Sequence, residues 1–134
     1  MIKTSGTTVL NQSRIANDVN EITNITETVG PSWVTPAHDA AGNMTTIPQP
    51  GELTSSYAAT YDAWNRLVKL VDGANTVAEY EYDGLNHRIV KSIYSDGMLD
   101  HRQHFYYNAQ WQVLEVRREV SGTEDVDPLI QYIW

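Results

Sequence analysis

The chain has 134 residues, of which 41% are apolar and 19% charged, and its formal net charge is −8. That size and apolar content suit a folded domain and exclude wholesale disorder. The acidic balance, with a pI of about 4.7, argues against phosphate backbones and anionic membranes as partners. The lack of cysteine excludes disulfides, zinc–thiolate centres and thiol nucleophiles.

In chain order, Met1-Ile2-Lys3-Thr4-Ser5-Gly6 lacks an apolar core, so no signal peptide is expected. No apolar run approaches the ~18 residues of a membrane-spanning helix. Residues 1–15 are polar and are expected to be poorly ordered. Residues 1–56 form a divergent, loop-rich N-terminal region. Four of the five prolines (Pro31, Pro36, Pro48, Pro50) fall there. Each lacks a backbone donor, so 30–36 and 48–56 read as loops or edge segments.

From 57 to 134 the chain reads as a string of antiparallel strands. Eight Tyr, four Trp and one Phe, with many Val and Ile, suit a pleated and half-buried surface. Val77–Tyr82 alternates, with Tyr80 and Tyr82 on one face and Glu79 and Glu81 on the other. Asp72-Gly73 and Asp96-Gly97 are hairpin-type turns. Arg118–Pro128 reads as an exposed acidic loop, and Leu129–Trp134 as a last strand.

A short unit recurs through this region. Tyr61-Asp62-Ala63-Trp64-Asn65-Arg66-Leu67-Val68 is matched by Tyr82-Asp83-Gly84-Leu85-Asn86-His87-Arg88-Ile89-Val90, with one inserted residue. Weaker copies carry Asp39 and Gly42 upstream, and Tyr107, Asn108 and Trp111 downstream; the faintest begins at Asn17. These Asp or Asn positions are 22, 23, 21 and 25 residues apart. A period in the low twenties is too short for paired helices and fits one or two strands per unit. Asp and Asn accept hydrogen bonds from nearby backbone N–H groups, while Asn and Gly tolerate positive φ, so each unit is a turn between strands. The expected fold is all-β: repeated antiparallel hairpins forming a twisted sheet or a short β-solenoid segment, each unit contacting its neighbours.

Candidate chemistry is sparse. One carboxylate per unit (Asp39, Asp62, Asp83) makes a turn rather than a calcium loop. His101 and His104 lie on opposite faces of a strand, so they do not share a metal. Glu124, Asp125 and Asp127 are a solvated acidic loop. No phosphate loop, nucleophile elbow or metalloprotease motif is present. No catalytic, cofactor or metal residues are therefore assigned, and the chain is not expected to be an enzyme. Asn24-Ile25-Thr26 and Asn43-Met44-Thr45 match the glycosylation sequon. The aromatic side chains are read first as packing between units. The alternative is a carbohydrate-binding surface using exposed rings, with Tyr80 and Tyr106 as contacts. If buried, Tyr61→Ala and Trp64→Ala would each cost about 3–5 kcal/mol. Gly84→Val would damage its turn if Gly84 had positive φ.

The units at Tyr61 and Tyr82 resemble the YD repeat of the Rhs family, which includes bacterial wall-associated proteins, toxin-enclosing shells and teneurins. Tyr61, Asp62, Trp64, Asn65 and Arg66 carry the resemblance in one unit; Tyr82, Asp83, Gly84, Asn86 and Arg88 carry it in the next. The segment from His104 to Trp134 is similar to the stretch before the family's core region. The resemblance implies a segment of a β-shell with a structural role, secreted or at the cell surface. Its partners would be neighbouring repeats or other chains pairing along open strand edges, and carbohydrate. The self-cleaving core and the toxin region have no counterpart here, so neither proteolysis nor toxicity carries over.

Overall fold

The structure is a computed structural model that describes residues 2–134, without the side chain of Lys3. No helix occurs among the described residues, and thirteen strands account for the regular structure. The chain divides into two compact units, Met1–Thr60 and Tyr61–Trp134.

In the N-terminal unit, β1 (Ile2–Thr4), β2 (Thr7–Ala16) and β3 (Ile22–Val29) form an antiparallel sheet in that order. Of residues 1–15, expected to be poorly ordered, 2–4 and 7–15 are strand; Met1 lies outside the described residues. Ser5 and Gly6 both have positive φ, the signature of a tight two-residue hairpin turn that sequence reading missed. Polar side chains of β2 and β3 find partners across the pair: Asn11 Nδ2 donates to Thr28 Oγ1 at 2.9 Å, and Thr23 Oγ1 to Ile15 O at 3.3 Å. Polarity alone is thus a poor guide to disorder when cross-strand partners exist. β4 (Ala37–His38), β5 (Met44–Pro48) and β6 (Ser56–Tyr61) pair in that order. Pro48 closes β5, and the connection to β6 is pinned by Gln49 N–H to Ser55 O at 3.0 Å.

In the C-terminal unit, β7 (Leu67–Asp72), β8 (Asn75–Tyr82), β9 (Arg88–Ser95), β10 (Met98–Tyr107), β11 (Val113–Val120) and β12 (Thr123–Glu124) follow one another across an antiparallel sheet. β13 (Ile130–Gln131) also pairs with β11. Two turns sit where the Asp-Gly dipeptides predict them. At the first, Asp72 ends its strand opposite Asn75, and Gly73 (φ 56°) opens the turn. At the second, Asp96 and Gly97 both have positive φ. The stretch 118–128 is not simply a loop. Ser121 and Gly122 (φ 53° and 80°) make a further tight turn, and Thr123–Glu124 folds back on β11.

The register divides this sheet into two faces. Leu70, Ala78, Ile93 and His101 stand side by side across four strands, and Tyr80, Lys91, Gln103 and Arg118 form the next row. Phe105 and Val116 belong to the same face. The other face carries Lys69, Glu79, Ser92, Arg102 and Glu119 in one row and Glu81, Val90, His104 and Arg117 in the next. A single layer buries little: Val116 (2% exposed), Ala78 and Ser92 are the buried residues of this unit. Most of the other strand residues are half-buried. Stability must then come from many partial burials and from the links between repeats.

Candidate functional site: the repeated corner and the links between corners

Five turns of one geometry occur at 17–21, 39–43, 62–66, 83–87 and 108–112. In each, the N–H of the first residue bonds the carbonyl of the fifth, and the N–H of the fourth bonds the carbonyl of the first, at 2.9–3.3 Å. The fourth residue is left-handed every time: Asn20, Gly42, Asn65, Asn86 and Trp111, with φ from 62° to 85°. This is a three-residue hairpin loop ending in a bulge.

The first side chain locks each loop. Its Oδ1 accepts from the backbone N–H of the third and fifth residues, as in Asp62 with Trp64 (2.9 Å) and Arg66 (3.0 Å), and Asp83 with Leu85 (2.8 Å) and His87 (2.9 Å). Asp39, Asn17 and Asn108 do the same in their own loops. Its second polar atom meets the side chain of the fifth residue. Where the first residue is Asp, the fifth donates or can donate: Asn43, Arg66, His87. Where it is Asn, its Nδ2 donates to an acceptor: Glu21 at 2.6 Å and Gln112 at 2.8 Å. The chemistry of the two positions is matched in all five loops. The sequence signal for that pairing is a donor–acceptor match at a spacing of four.

The carboxylates of these corners are held below the ordinary range. For Asp39 the side-chain bond from Asn43 leads, with the N–H of Asn43 next. At Asp62 and Asp83 desolvation is the largest single influence and pushes upward. The combined bonds from Arg66 and Trp64, or from His87 and Leu85, outweigh it.

Links run from corner to corner. Tyr82 Oη donates to Leu67 O at 2.9 Å, and Tyr107 Oη to Arg88 O at 2.8 Å. Leu67 and Arg88 hold the same place, five residues after Asp62 and Asp83. Val113 holds it after Asn108, and the Nε1–H of Trp134 donates to Val113 O at 2.8 Å. Trp134 therefore takes the tyrosine's role at the third link. The fifth loop residue also reaches the next corner. Arg66 Nη1 donates to Asp83 O and Asn86 Oδ1, both at 3.1 Å, and the guanidinium lies 4.9 Å from the Tyr82 ring centroid. One corner further, His87 stacks on Trp111 (4.2 Å, 7°) and tilts against Tyr107 (5.4 Å).

This geometry places the sequence-derived motif residues. Asp39, Asp62 and Asp83 are corner anchors. Gly42, Asn65, Asn86 and Trp111 are the left-handed residues. Tyr82 and Tyr107 are inter-corner donors. Two expectations change. Trp64 is 71% exposed, so Trp64→Ala should alter stability by no more than about 0.5 kcal/mol. Gly84 is not left-handed, and a Cβ there would meet nothing within 4 Å. Gly84→Val is therefore expected to be nearly neutral, whereas Asn86→Val should cost about 1–2 kcal/mol, because a β-branched residue resists positive φ. Urea unfolding of the two variants compares them directly. The inserted residue also shifts the alignment: His87 stands in the place of Arg66, and Arg88 in that of Leu67. Tyr80 and Tyr106 lie on opposite faces of the sheet, so they do not form one surface. His101 and His104 have separate partners, Asp100 and Glu119, and no metal-holding group of three His or acidic residues occurs among the described residues.

No curated protein and no solved structure matches the chain. The RHS Repeat family matches residues 61–97, a stretch that holds two Tyr-Asp corners and the strands between them. With antiparallel hairpins and two of the five equivalent corners inside that stretch, residues 61–97 are a repeat segment of the YD/Rhs type.

Proposed function

We propose that this chain is a non-catalytic scaffold segment of a larger Rhs-type protein, at a cell surface or around an enclosed toxin. The observation that carries this reading is the recurrence of one inter-corner link, with Tyr82, Tyr107 and Trp134 each donating to the carbonyl five residues after a corner anchor. Units joined this way are stabilised by their neighbours, which is the energetics of a repeat array. The perturbed carboxylates point the same way. Asp39, Asp62 and Asp83 are each bound within a separate corner, and Glu79 and Glu119 in cross-strand ion pairs.

A tandem duplication of residues 83–107 recreates a Tyr-Asp junction and tests the scaffold role. A single, steeper unfolding transition at higher temperature is expected. Separate early unfolding of the added copy would reject it. A carbohydrate-binding surface is the second reading, and one feature favours it at Tyr106 alone. That ring, 41% exposed, borders a cleft with Tyr132 and Trp134. Loss of glycan binding in Tyr106→Ala, with Tyr80→Ala unaffected, is the outcome expected on that reading.

A further inference from the structure

The seven Lys and Arg side chains of the C-terminal unit are sorted by face. Arg66 is paired within its corner. Lys69, Arg102 and Arg117 stand on one face, and each has a carboxylate on that face: Glu79 at 2.9 Å, Glu119 at 2.9 Å and Glu115 at 2.6 Å. Arg88, Lys91 and Arg118 stand on the other. Lys91 and Arg118 share the row of Tyr80 and Gln103, while Arg88 lies over Tyr80 (5.7 Å) and Phe105 (4.5 Å). None of these three has an ion pair among the described residues. Strand alternation puts Glu79, Glu81, Glu115 and Glu119 on the opposite face. Among the described strand residues of their own face the remaining titratable group besides tyrosine is His101, which bonds Asp100 at the far end of β10, and Asp62 and Asp83 sit at the corners, paired there with Arg66 and His87. An acidic chain thus presents one acid-poor face, made of half-buried apolar and aromatic side chains with three unpaired cations.

We propose that this face docks an acidic polypeptide segment whose carboxylates alternate with apolar side chains. Charge complementarity identifies the occupant. Arg88 and Arg118 each hold Nε shielded from water with no acceptor. Their desolvation is already met in the folded chain, and a carboxylate arriving there gains more than it would at an exposed lysine. Alternation in the guest matches the sheet's own period of two, placing acids over the cations and apolar groups over Leu70, Ile93 and Phe105. Nucleic acid fits less well. The ring faces it would stack on are covered, Tyr80 and Phe105 by Arg88 and Tyr82 by Arg66, and the net charge of −8 repels phosphate.

The test is fluorescence anisotropy of the full chain with a labelled peptide of alternating Glu and Leu. The same peptide with Gln for Glu, and a single-stranded oligonucleotide, serve as comparisons. The Glu peptide is expected to bind at least tenfold tighter than either. Lys91→Gln with Arg118→Gln should weaken it at least tenfold, with an unchanged melting curve. Lys69→Gln, on the opposite face, should change it less than twofold. Equal binding of the Gln peptide, tighter binding of the oligonucleotide, or indifference to the double substitution each overturns the proposal.

Discussion

Tyr82→Ala is expected to lower the unfolding free energy by about 3–4 kcal/mol, within the range for removing a packed aromatic ring. Three contacts disappear together: the ring's half-buried area, the guanidinium of Arg66 at 4.9 Å and the Oη bond to Leu67 O. Tyr82→Phe keeps the first two and loses only the third, so about 1 kcal/mol is expected. Tyr107→Phe should behave alike, because its Oη bonds the equivalent carbonyl of Arg88. Trp64→Ala, which removes a larger and exposed ring, is the control. Denaturant titrations of the four variants give the order directly. If Trp64→Ala proved as damaging as Tyr82→Ala, the account of the inter-corner link would be wrong.

Acid should unfold the protein through the corners. Asp39, Asp62 and Asp83 are held low by bonds within their loops. Glu79 is lowered first by the Tyr94 hydroxyl and then by Lys69, and Glu119 by His104 and then Arg102. Each of these groups has a folded pKa below its unfolded value. Its contribution is therefore fully present above the unfolded pKa, about 4, and is lost as pH falls through the lower folded value. Stability should be flat from pH 7 to about pH 5 and should drop steeply below about pH 4. Urea midpoints measured along this range follow the effect. Asp83→Asn should flatten part of the drop, since the amide still accepts at Oδ1 but no longer titrates. An acid profile identical to that of the parent chain would show that Asp83 takes no part.

Local chemistry was legible in the residues themselves. The Tyr-Asp units, the all-β class, the alternation of Val77–Tyr82 and the Asp-Gly turns need only a few neighbouring side chains, and short-range bonds such as Oδ1 of Asp62 to the N–H of Arg66 decide them. Corners whose anchor is Asn were harder to see, because Asn17 and Asn108 lack the Asp that draws attention. Their Nδ2 groups nonetheless select acceptors at Glu21 and Gln112. Tertiary structure decided what depends on residues some 15–24 apart: which carbonyl each tyrosine meets, that Trp134 stands in for one, and that a left-handed Trp111 stacks on His87. It also decided which cations are paired. Bulges such as the one beside Tyr82 shift the register, and a one-residue shift moves side chains from face to face. Arg88 joins Lys91 and Arg118 on one side through that shift, since strict alternation along β9 would put Arg88 and Lys91 on opposite faces.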